Sequence, residues 1–241
     1  MITSRKIPVL QIIDGKLVKT RKFKFPIYIG DPLNAVKIFN DKEVDELIIL
    51  DISPERKKTG PNFKLITGLL SECQMPVGYG GGVQNLGQAN EIFHLGAEKI
   101  IVNSLAYDNP RELKKISDIY GAQAISFSID YDISFFGNFR FFKNSGSSKT
   151  RYSVSEVLQI IQDVSCGEVI LHNISSDGSF RGLDYHLLEN LKDSLDIPIV
   201  LLGGAKDHND LEQAILKGAH SAAAGSMFVF QGPHRAVLIQ Y

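Results

Sequence analysis

The segment PVGYGGGVQNLGQANEIFHLGAEKIIVNS (76–104) aligns without a gap on PIVLLGGAKDHNDLEQAILKGAHSAAAGS (198–226). Pro76 falls on Pro198, Gly81-Gly82 on Gly203-Gly204, Gly96-Ala97 on Gly218-Ala219, and Ser104 on Ser226. The offset of 122 residues is about half of the 241-residue chain. A repeat of that period marks an architecture built from two similar halves.

Short apolar runs recur along the rest of the chain: IPVL (7–10), ELIILDI (46–52), MPVGYGG (75–81), KIIVNS (99–104), AISFSID (124–130), EVILHNI (168–174), IPIVLLGG (197–204) and SAAAGSMF (221–228). Amphipathic stretches separate them. In DPLNAVKIFNDKEV (31–44), Asp31 reads as an N-cap with Pro32 at the first helical position. NPRELKKISDIYG (109–121) ends on Gly121 as a stop. Eight alternating β and α units predict a single closed (β/α)8 barrel of the TIM type. Its half-barrels are expected over 1–121 and 122–241. An open doubly wound sheet is the competing arrangement, and it gives no reason for the repeat.

Composition narrows the function. The net charge of −1 and the absence of long basic runs argue against nucleic-acid binding. The opening MITSRK has no signal-peptide core, and no apolar run reaches membrane-spanning length. A cytoplasmic protein without a membrane segment is expected. Cys73 and Cys166 read as unpaired thiols, and neither a metal site nor a cofactor is expected.

Each repeat presents a strand, paired glycines and a helix, then a second strand ending in a small polar pair, Asn103-Ser104 or Gly225-Ser226. Glycine lets backbone N–H groups approach an anion closely. Two anion sockets on opposite sides of one barrel mouth are therefore expected, for a ligand with a phosphate at each end. Glycines at such points also serve tight turns and packing. Catalytic groups in this fold sit where strands end. Asp130, closing AISFSI, is the leading candidate acid or base. Asp51, Lys19 and Asp177 follow, although Asp51 also suits a loop-orienting role. His172 ends the sixth strand, where packing and chemistry are equal readings.

GDP (30–32), DELIILDI (45–52), GGGV (80–83), GAEKIIVNS (96–104), NP (109–110), GAQAISFSID (121–130), GEVILHNISSDGSFRGLD (167–184) and LGGA (202–205) resemble the cyclase subunit of imidazole glycerol phosphate synthase, of histidine biosynthesis. The resemblance spans about residues 4–228. It implies a barrel paired at its N-terminal face with a glutaminase, whose ammonia passes through the barrel. At the mouth, ammonia meets a doubly phosphorylated ribulosyl-formimino aminoimidazole carboxamide ribotide. The products are imidazole glycerol phosphate and aminoimidazole carboxamide ribotide. The resemblance assigns phosphate binding to Gly82, Asn103 and Ser104, and to Asp177, Gly178, Gly204, Gly225 and Ser226. It also implies a charged ammonia gate of Arg5, Glu46, Lys99 and Glu168, and a hairpin lid at ISFFGNFRFF (133–142).

Two features depart from the family pattern. The family carries catalytic aspartates ending strands one and five; Asp130 is present, but Gln11 holds the strand-one position. An amide exchanges no proton usefully near neutrality, and Asp14, in an expected turn, is a poor substitute. After GSMF, the tail VFQGPHRAVLIQY is too short and too broken for a final helix, and RAVLIQY alternates like a strand. The departures open a second role, in which the chain activates a glutaminase and relays ammonia for amidino-sugar formation in surface polysaccharides, with a third sugar-modifying enzyme as partner.

Overall fold

The computed structural model describes residues 4–241. Eight parallel strands close a barrel: β1 (Arg5–Ile13), β2 (Leu47–Asp51), β3 (Val77–Gly80), β4 (Lys99–Val102), β5 (Ile125–Ile133), β6 (Glu168–Asn173), β7 (Ile199–Leu202) and β8 (Ser221–Ala224). β8 pairs with β1, and β5 with β6, so no edge remains open among the eight. The (β/α)8 expectation holds.

Helices α1 (Pro32–Asp41), α2 (Phe63–Leu70), α3 (Leu86–His94), α4 (Pro110–Tyr120), α5 (Val154–Val164), α6 (His186–Leu191) and α7 (His208–Leu216) connect successive strands. Local chemistry sets their ends. Asp31 accepts from Asn34 N–H, with Pro32 behind it. Asn109 accepts from Glu112 N–H, and Gly121, at φ 87°, ends α4. Ser153 and Glu156 form a capping box on α5.

The two copies of the repeat fold alike. The N-caps Asn85 and Asp207 adopt φ/ψ of −156/169° and −155/175°. Gly96 and Gly218 follow their helices at φ 105° and 108°. Glycine takes that conformation without the strain a side chain would add.

Strand alternation divides the core in two. Outward residues pack under the helices in one large cluster. Inward residues fill the lumen with Ile7, Val9, Ile48, Ile101, Ile170, Val200, Leu202 and Ala223. β3 turns glycines inward because its neighbours leave no room: a Cβ on Gly80 would lie 2.8 Å from Leu50 Cδ2.

Three additions decorate the barrel. The Asp14-Gly15 turn carries β1 into antiparallel strands Lys16–Arg21 and Lys24–Gly30, a hairpin the apolar runs do not announce. β5 continues into the expected hairpin, pairing with Phe139–Lys143. Ser226–Val229 forms one helical turn, and Phe230–Gln231 pairs with Ala236–Val237. The tail is thus strand-like, as its alternation suggests. Tyr241 stacks on Phe228 and donates its hydroxyl to the Lys6 carbonyl. Cys73 and Cys166 are free thiols. No described helix is long and apolar enough to cross a membrane.

Candidate active site

At the N-terminal end of the lumen, strand parity brings Arg5, Glu46, Lys99 and Glu168 together. Arg5 contacts Glu46 through Nη1 and Glu168 through Nη2, the latter at 2.6 Å. Lys99 Nζ lies 3.0 Å from Glu46 and 3.2 Å from Glu168. The result is a closed ring of alternating charge. Ser126 Oγ donates to Glu168 at 2.6 Å, and Ser221 Oγ accepts from Arg5 Nε at 3.2 Å. Burial pushes the Glu46 carboxyl up, against the pull of Lys99 and Arg5. Burial also pushes Glu168 up, but Lys99, the Ser126 bond and Arg5 outweigh it and hold Glu168 below the ordinary range. Unpaired, such buried charges would be strongly unfavourable.

At the opposite end, Gln11, Asp130 and His172 are all buried and inward-facing. Gln11 Oε1 accepts from Thr20 N–H at 3.1 Å and lies 3.2 Å from Thr20 Oγ1. Thr20 Oγ1 also reaches Asp177 Oδ2 at 3.1 Å. Ser128 Oγ donates to Asp130 at 3.1 Å. Burial is the main cause that pushes Asp130 up to about 6; His172 and the Ser128 bond pull it down, and Asp177 adds to the rise. Asp177 is pushed up by burial, yet His172, Lys19 and Thr20 together hold it low. Lys19 is buried, which lowers its pKa, while Asp177 pulls the other way. The exposed Asp14 stays in its turn, its N–H bonded to Ser53 Oγ.

The two glycine regions differ in detail. In the second copy, Asp177, Gly178, Gly203–Ala205 and Ala224–Ser226 line a small cavity. The Lys19 ammonium lies so close to Gly225 that a Cβ there would sit 2.0 Å from Nζ. The glycine leaves room for the Lys19 ammonium at the point where the first copy carries Asn103. Gly204 abuts the Gly182 carbonyl, whose oxygen would lie 2.4 Å from a Cβ at position 204. In the first copy, Gly82 packs on the Arg56 carbonyl. Both hydrogens of the Asn103 amide are committed, to the Ser128 carbonyl at 2.9 Å and the Phe142 carbonyl at 3.1 Å. Ser104 Oγ accepts from Asn144 N–H at 3.1 Å, so the β5 hairpin sits directly on this region.

Asp51 is the expected site residue that the structure places apart. It shares the outward parity of Ile12, opposite which it pairs. Its carboxylate accepts from Ser53 and faces Arg56 Nε at 3.5 Å. This is the loop-orienting arrangement. Two mouth residues escaped the sequence reading, Thr20 and Phe23. Phe23, at φ 58°, meets His172 edge-on. The Asp14-Gly15 dipeptide is the hairpin signal that would have brought both into view.

Comparison with known proteins identifies the family. The family model described as "Histidine biosynthesis protein" matches residues 5–234. A relative named "Putative imidazole glycerol phosphate synthase subunit hisF2", from Pseudomonas aeruginosa, is 43% identical over 242 residues, covering 100% of this chain and 96% of the relative. A second with the same description, subunit HisF of Leptospira interrogans, is 42% identical over 243 residues, 100% and 96% of the two chains. "Imidazole glycerol phosphate synthase subunit HisF" of Pelodictyon phaeoclathratiforme is 32% identical over 233 residues, 96% of this chain and 92% of the relative. The chain belongs to the histidine biosynthesis protein family and is a homologue of the HisF cyclase subunits of imidazole glycerol phosphate synthase.

Proposed function

We propose that the chain is the cyclase-type subunit of a glutamine-dependent complex. A glutaminase docks at the N-terminal face, ammonia enters through the Arg5–Glu46–Lys99–Glu168 ring, and it crosses the apolar lumen to the mouth. The observation that carries this reading is the ring itself. Three buried charges and the half-buried Arg5 lie at the end of the barrel remote from the glycine cavity, where a ligand bound at the mouth does not reach them. The lumen between is lined by aliphatic side chains, through which a small neutral molecule passes more readily than an ion.

The acceptor in this reading is the ribulosyl-formimino bisphosphate of the family reaction. Lys19, Gly178, Gly204, Gly225 and Ser226 would hold one phosphate, and Gly82 and Ser104 the other, with Asn103 tying that socket to β5 and its hairpin. Its ribulosyl part is a ketose, so ammonia adds to a carbonyl carbon, and a raised carboxyl such as Asp130 suits the proton transfers. The purified protein, given this bisphosphate and ammonium salt, makes imidazole glycerol phosphate. Absence of product at high enzyme concentration would remove the cyclase assignment.

Gln11 favours a second reading. With an amide at the strand-one position, the chain would activate a glutaminase and relay ammonia to an acceptor held by a third, sugar-modifying enzyme. Under that reading the bisphosphate is not turned over, while glutamine hydrolysis by the partner still rises when this chain is added.

A further inference from the structure

The imidazole of His172 lies between two carboxylates from different elements. β5 and β6 pair in parallel with His172 opposite Asp130, so both side chains leave the same face at the top of the lumen. His172 Nδ1 is 3.8 Å from Asp130 Oδ1, and Nε2 is 3.6 Å from Asp177 Oδ1. Both gaps exceed hydrogen-bond length, by about half an ångström, so a small side-chain shift or one bridging water brings either carboxylate into proton-transfer reach. Nε2 is buried and has no hydrogen-bond partner. The ring is held in place: a Cβ on Gly203 would lie 3.2 Å from Cδ2, and Phe23 covers the ring edge-on. The groups around it are Asp130 and Ser128 from β5, Asp177 from the loop after β6, and Lys19, Thr20 and Phe23 from the first hairpin.

Gln11 is meanwhile engaged elsewhere, its Oε1 accepting from Thr20. We infer that His172 is the second acid–base residue of the mouth, exchanging a proton with Asp130 and so standing in for the carboxylate that strand one lacks. The inference rests on the cyclase reading. One proton is shared by the Asp130–His172 pair, while Asp177 stays ionised and fixes the far side of the ring. As the ammonia lone pair forms the C–N bond, the carbonyl π electrons move to oxygen, which takes that proton. The cationic nitrogen then returns a proton to the pair. The hydroxyl leaves as water by taking it again, the nitrogen lone pair forms C=N, and the iminium gives back the last proton. The sum is ketone plus ammonia to imine plus water, with the pair restored.

The test combines turnover with a direct view of the ring. Steady-state cyclisation of the bisphosphate with ammonium is measured for the native chain, His172→Asn and His172→Gln, with folding checked by circular dichroism. The substitutions lower kcat by about 10²–10⁴, change KM far less, and remove one limb of the kcat–pH profile. Adding Gln11→Asp to His172→Asn restores at least about tenfold of the loss. A kcat within a few-fold of native, with an unaltered pH profile, overturns the inference. The ring is also followed without substrate, by nitrogen NMR of histidine-labelled protein across pH. Its titration midpoint moves by about one pH unit or more in Asp130→Asn, as for coupled sites. If the native chain makes no product, the cyclase reading fails by itself, and the NMR arm decides: an unmoved midpoint overturns the Asp130–His172 pair, and a moved one upholds it.

Discussion

The ring of Phe23 meets the imidazole of His172 edge-on, with centroids 4.7 Å apart and planes at 64°. Phe23 also packs against Gly146, so the first hairpin and the β5 hairpin close over the mouth from two sides. An aromatic pair of this kind contributes about 0.5–1.5 kcal/mol. Phe23→Ala therefore costs about 1 kcal/mol in denaturant unfolding and speeds amide hydrogen exchange in both hairpins together. Faster exchange in the first hairpin alone would show that the two are independent.

The ring at the other end predicts a contrast in stability. Lys99→Met removes two of the four ring contacts and leaves Glu46 and Glu168 sharing Arg5 as their one remaining cation, so one largely buried negative charge is uncompensated, at a cost of about 3–5 kcal/mol. Lys6→Ala removes an exposed pair with Glu212 and costs under about 1 kcal/mol. Urea unfolding of the two variants side by side measures the difference; similar losses would contradict the ring's buried character.

Asp130 makes stability depend on pH. Its folded pKa, about 6, lies above the ordinary 3.8, with burial the leading cause. The protonated carboxyl favours the fold below the unfolded value, and that contribution is lost as pH rises through the folded one. Asp130→Asn has no such ionisation. Its melting temperature therefore gains on the native protein between about pH 4 and 7. A difference that stays constant over that range would refute the shift.

Glycine substitutions separate packing from backbone strain. Gly204→Ala places a Cβ 2.4 Å from the Gly182 carbonyl, at φ 105°. Gly96, at the same φ, has open space around its Cβ position. Both lose stability from the backbone, by about 1 kcal/mol, but Gly204→Ala loses more. It also loses affinity for inorganic phosphate in calorimetry, which Gly96→Ala retains.

The barrel was legible because its signals are local. Continuous apolar runs such as ELIIL mark strands covered on both faces, and Asp31-Pro32 and Asn109-Pro110 mark helix starts. The first hairpin is announced only by its Asp14-Gly15 turn, since Phe25, Ile27 and Tyr28 lie exposed on it and give no alternation that points inward. Candidate site residues at strand ends, Asp130 and His172 among them, could be picked out by position. Their pairing could not: Thr20 bonds Asp177 across 157 residues, and nothing local to either announces it. For Asp51, position left the face open. A carboxylate closing a strand looks the same on either face, and only its odd parity on β2 turns it away from the lumen.

In the charge ring, every cation touches both acids and every acid both cations. Four contacts join four groups, one more than is needed to link them in a single chain. Any single contact can therefore open while the remaining three still form an unbroken chain of alternating charge. Under the proposed ammonia relay, that redundancy works as a turnstile: a small guest would pass on one side without ever stranding a charge.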